Sequence, residues 1–61
     1  MSQAELDHRK QRIKQIACEM VASRVEKGEV NPDDAAALRA AVAEAVDTAR
    51  AVYDAAMEYV S

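Results

Sequence analysis

Residues 28–34 read Gly28-Glu29-Val30-Asn31-Pro32-Asp33-Asp34, and they contain the one glycine and the one proline of the chain. Glycine is favoured in the left-handed position just past a helix end. Asparagine is a preferred N-cap, proline fits a first helical position, and aspartates in a first turn oppose the helix dipole. The stretch therefore reads as a stop signal followed by a start signal. It predicts an all-α chain with one helical hairpin domain over residues 1–61. The first helix is expected at about 3–27, the corner at 28–31 and the second helix at about 32–60.

Outward from the corner, both flanks keep a helical period. On the N-terminal side, Ser2 with Glu5 three residues later forms a capping-box pattern. Leu6, Ile13, Ile16, Ala17, Met20 and Val21 fall on one stripe at 100° per residue. On the C-terminal side, Leu38, Val42, Ala45, Ala49, Val52, Ala56 and Tyr59 follow an alternating spacing of four and three, as in a coiled-coil seam. Three of the seven seam positions, nearly half, are alanine, which predicts a close approach of helix axes. A second apolar strip, Val46, Tyr53, Met57 and Val60, flanks it. The combined face is wider than one partner helix covers. A second subunit is the expected remedy, most simply in an antiparallel four-helix bundle.

Chain length points the same way. Below roughly 70–80 residues a core alone rarely suffices, and disulfides, metals or oligomerisation supply the rest. This chain has 61 residues with one cysteine (Cys18) and one histidine (His8), so neither an internal disulfide nor a zinc-type cluster is expected. With 51% hydrophobic residues and a net charge of −3, it is too apolar for composition-driven disorder. No apolar run reaches the roughly 20 residues of a membrane span, and no signal-peptide pattern is visible. A soluble cytoplasmic protein, with no membrane partner, is the expectation.

Charge divides at the corner. Residues 1–27 carry six cations and four carboxylates, a balance of +2; residues 28–61 carry two and seven, a balance of −5. Folding about a short corner sets residue i against residue j when their numbers total about 59. Leu6 then meets Tyr53, Ile13 meets Val46, and Met20 meets Leu38. Arg12 falls near Asp47 and Lys14 near Glu44, so complementary flanks would select the antiparallel pairing.

Several residues invite a functional reading beside a plain one. The run His8-Arg9-Lys10-Gln11-Arg12-Ile13-Lys14 suits an acidic partner or nucleic acid. In projection, however, Arg9 and Arg12 flank one side of the stripe and Lys10 and Lys14 the other. His8 reads as a surface residue; only Glu5, one turn away, is placed to orient it. Cys18 reads as a partly buried spectator at the stripe edge. Arg39 and Arg50 read as a solvated face, or, with Arg24 and Lys27, as an anion or acidic-partner site. Tyr53 is expected in the core over Leu6, while Met57, Tyr59 and Val60 are candidate partner contacts. No catalytic constellation, metal spacing or cofactor motif is present, so neither enzyme activity nor a cofactor is expected.

The plan of two helices, a short corner and a charged first helix resembles the Rop type of plasmid regulator. That resemblance covers the overall plan and implies a homodimeric four-helix bundle that binds paired RNA loops through its first helices. Three functions are thus expected candidates. The first is a small dimeric protein that binds and modulates a larger protein, like the accessory regulators and inhibitors of phages and plasmids. The second is a Rop-like RNA- or DNA-binding regulator using the basic first helix. The third binds a small anionic ligand, such as a nucleotide, at a subunit interface.

Overall fold

The computed structural model describes residues 3–60. They form two helices packed against each other: α1, Gln3–Glu26, and α2, Ala35–Val60. The Ser2 half of the expected capping box lies outside the described residues. Alanine gives α2 high intrinsic propensity, and nothing inside either helix breaks the backbone ladder.

The first helix stops as Gly28 predicts. Gly28 has φ +78°, the left-handed region that side chains disfavour. Its N–H donates to the Val25 carbonyl at 3.0 Å, and the Glu29 N–H donates to the Arg24 carbonyl at 2.9 Å. This pair of bonds is the Schellman closure, which satisfies carbonyls left over at a helix end. Val30 then turns inward and is buried against both helices.

The second helix starts later than expected. Asn31 does not cap it. The Asn31 side chain accepts the Asp33 N–H at 3.0 Å, and its carbonyl accepts the Asp34 N–H at 3.1 Å. Asn31-Pro32-Asp33-Asp34 is thus a turn of its own, with proline at the position whose φ it presets. Asp34 is the N-cap: its Oδ1 accepts the Ala37 N–H at 3.1 Å and its carbonyl the Leu38 N–H at 2.9 Å. The corner accordingly spans residues 27–34 rather than 28–31. Replacing Asp34 by Ala is expected to destabilise the hairpin by about 1 kcal/mol. Asn31→Ala, which frees only one exposed turn N–H, should cost less; thermal unfolding of the two variants measures the order.

The longer corner slides the helices past each other. Arg9 lies against Tyr53 and Asp54, where the shorter corner would set it against residue 50. Tyr53 packs at the edge of the core with the Arg9 guanidinium over its ring, and Leu6 is exposed. The expected pairs Arg12–Asp47 and Lys14–Glu44 are replaced by Arg9–Asp54 at 3.2 Å and Arg24–Glu44 at 3.5 Å. The principle of basic α1 against acidic α2 holds with different partners. The slip is about one helical turn, which restores nearly the same faces.

The helices also meet along different rows. The buried residues are Ile13, Ala17 and Val21 on α1, Ala41, Ala45 and Ala49 on α2, and Val30 in the corner. Half-buried Val25 and Tyr53 extend these rows, with Ile16, Met20, Leu38 and Val46 beside them. Each row steps by four: 13, 17, 21, 25 on α1 and 41, 45, 49, 53 on α2. Interlocking rows of this kind belong to oblique crossings of about 50°, not to the roughly 20° of a coiled coil. The dimensions agree. The Cα trace spans 38 × 23 × 14 Å. Two nearly parallel helices would give a Cα cross-section of only roughly 14 by 5 Å from helix radius and axial spacing. The 23 Å dimension fits helices that cross obliquely, with methyl side chains at the contact.

Burial ends at Ile13 and Ala49 on the side of the open end. Beyond them, Val52, Ala56, Tyr59 and Val60 on α2 and Leu6 on α1 are all exposed. Of the expected seam, Ala45 and Ala49 join the intrachain core and Leu38 borders it. Val42, Val52, Ala56 and Tyr59 remain outside it.

Candidate functional site

Oblique crossing opens grooves on either side of the helix contact. The best-formed is a groove of ≈ 320 Å³ on one flank. Its α1 wall is Arg9, Lys10, Ile13, Lys14, Ala17 and Cys18; its α2 wall is Val42, Val46 and Arg50. Helical geometry explains the composition. Lys10, Lys14 and Cys18 stand one turn apart along one side of α1, and Val42, Val46 and Arg50 do so along the facing side of α2. Ile13 and Ala17, which also serve the core, form the floor with the two valines.

Every ionisable group on the groove wall other than the Cys18 thiol is a cation. Arg9 is already engaged: its Nη2 donates to Asp54 Oδ1 and Oδ2 at 3.2 and 3.3 Å, and its guanidinium lies 5.8 Å from the Tyr53 ring centroid. Lys10, Lys14 and Arg50 have no carboxylate partner among the described residues. Asp47 and Asp54, one turn either side of Arg50 along α2, form no ion pair with it. Cys18 is exposed at the groove rim rather than partly buried, because the four-step row of α1 turns its position away from α2.

The other predicted site residues disperse. Arg12 is exposed and its Nη1 donates to Gln15 Oε1 at 2.7 Å. Arg24 pairs with Glu44 and, with Lys27, borders a shallow depression that includes Ile16 and Met20 on the opposite flank. Arg50 lines the groove with Lys10 and Lys14, whereas Arg24 and Lys27 border the other depression, so the expected site of three arginines and one lysine is not gathered within the single hairpin. Arg39 is exposed on α2. The nucleic-acid reading calls for Arg9 and Arg12 exposed on one surface; Arg12 is exposed, and Arg9 is half-buried against Asp54 and Tyr53.

At the open end, His8 shares a depression with Glu5, Tyr53, Asp54 and Met57. Nearby lies the largest uncovered apolar surface: Tyr59 is 95% exposed, Val60 79%, Val52 50% and Met57 49%. Among the described residues, no three His, Cys, Asp or Glu side chains converge as metal ligands, and no helix is long and apolar enough to cross a membrane.

Sequence reasoning missed the groove because it treated Lys10 and Lys14 only as flanks of the α1 stripe. The signal was present in their one-turn spacing with Cys18, once α2 supplies Val42, Val46 and Arg50 opposite. No protein-family model, no curated protein and no solved structure matches the chain.

Proposed function

We propose that this chain is a small self-associating interaction protein. Two hairpins join into a four-helix bundle, and the assembly binds a larger partner protein and modulates it, in the manner of a cytoplasmic accessory regulator or inhibitor. The observation that carries this reading is the bare apolar surface at the open end. Val52, Tyr59 and Val60 of α2, with Leu6 of α1 close to the same level, stand uncovered while four of the seven buried residues are alanines. So small a core leaves the hairpin short of apolar burial, and exposed patches of this kind commonly mark interfaces. A two-fold contact through the same patch on both copies closes on itself and satisfies both needs.

The lone thiol is compatible with the reducing cytoplasm. The absence of an aromatic side chain in the cationic groove favours a protein over single-stranded nucleic acid, which stacks its bases on aromatics. Light scattering across a range of concentrations tests the assembly. A mass twice that of the chain is expected; a monomer at all concentrations refutes the self-association.

A further inference from the structure

We infer that the groove between α1 and α2 holds an acidic amphipathic helix of the partner protein, which lies along the hairpin as a third helix. This rests on the reading that the chain binds a protein, and it names the chemistry of that protein's contact. Three features of the groove select the occupant. Its floor is apolar, from Ile13, Ala17, Val42 and Val46, which suits an apolar stripe rather than a sugar–phosphate backbone. Its rims carry cations on both walls, Lys10 and Lys14 on one and Arg50 on the other, and none of the three is in an ion pair among the described residues. Its α1 wall runs from Arg9 to Cys18, about 14 Å at 1.5 Å per residue, long enough for two to three turns of a docked helix.

A second copy of this chain does not fit the same groove. A two-fold contact through it would face Lys10, Lys14 and Arg50 against their own duplicates, a repulsive arrangement. A head-to-tail contact with the acidic side of α2 would leave each new copy with an open groove and grow without closure. A separate helix with apolar residues at i, i+4 and i+7 and carboxylates on both flanks meets every feature. It places its stripe on the floor and its acids on the lysine and arginine rims, the helix-in-groove mode of recognition. Arg9 is not needed for this contact, since Asp54 and Tyr53 already hold it.

The test uses three synthetic helical peptides of about 18 residues, long enough to populate helix in water. One carries a leucine stripe with glutamate flanks, one the same stripe with lysine flanks, and one glutamate flanks with serine in place of leucine. Cys18, exposed at the rim, reports occupancy through its rate of reaction with a thiol reagent. The glutamate-flanked leucine peptide is expected to bind and to slow that reaction; the other two are expected to bind at least tenfold more weakly. Lys10→Glu with Lys14→Glu, both exposed positions, should weaken the first peptide at least tenfold while the helical circular dichroism and the mass stay unchanged. Equal binding of the lysine-flanked peptide, equal binding of the serine peptide, or no binding of the first peptide each overturns the inference. So does preferential binding of a polyuridine RNA that blocks the groove. A dimer that ignores the peptides refutes the groove alone; a monomer that binds the first peptide refutes the self-association alone.

Discussion

Ala49→Leu is expected to destabilise the hairpin more than any other single substitution to an apolar residue in α2. Ala49 is fully buried where the two helices cross, and its neighbours in the row, Ala41 and Ala45, are buried too. A leucine there adds volume at the point of closest axial approach, and the helices must separate or the side chain must leave its rotamer. Overpacking of this kind costs about 1–3 kcal/mol. For a domain of this size each kcal/mol lowers the melting temperature by roughly 4–8 °C. Ala51→Leu provides the comparison: Ala51 is exposed on the same helix, and leucine propensity is close to that of alanine. Thermal unfolding followed at the helical circular dichroism band separates them. Equal melting of the two variants would place the helix contact elsewhere.

Val52→Glu combined with Tyr59→Glu is expected to abolish self-association. Both side chains are at least half exposed in the single hairpin, so the variant loses no intrachain burial. In the proposed bundle it sets four carboxylates against apolar surface, and burying unpaired charge is prohibitive at an interface. The mass by light scattering should halve. The melting temperature should also lose its dependence on protein concentration, which a folding-linked dimer shows by mass action. A doubled mass in the variant would mean that the open end is not the interface.

These two expectations draw on different depths of sequence information. The helical hairpin was legible because its signals are local: Gly28 in a left-handed position, a 3.6-residue period on either side, no other breaker. The length of the corner was not. Asn31 and Asp34 are both competent caps, separated by a proline that suits either a first helical turn or a tight turn. The choice between them depends on the bonds that the Asn31 side chain and carbonyl accept from the Asp33 and Asp34 N–H groups. Three residues of corner then decide the register, so the wrong cap carried the wrong ion pairs with it.

The helix contact was illegible for another reason. Alanine occurs so often along α2 that a heptad seam through Val42 and Val52 and a four-step row through Ala41 and Ala45 are both present in the sequence. Periodicity cannot rank two stripes made of the same small residue. The exposed groove lies beside that row, where Lys10 and Lys14 stand opposite Val42, Val46 and Arg50. Tyr59 and Val60, by contrast, were readable as surface candidates, because they lie near the end of the second helix where little chain remains opposite.

The crossing has a mechanical consequence. With methyl groups at the contact, the two helices stay together from their middles to the corner, where Val30 and the Arg24–Glu44 pair tie them, and diverge toward the open end, bridged there by the Arg9–Asp54 pair. The α1 arm from Ala17 to Gln3 is about 21 Å long at the helical rise, so a rotation of about 10° would shift its tip by roughly 3–4 Å. Small side chains offer little interdigitation to resist such a turn. The hairpin is in this sense a pair of scissors riveted at Ala17, Ala45 and Ala49. Opening or closing the blades would change the width of the flanking grooves together with the spacing of the open-end tips.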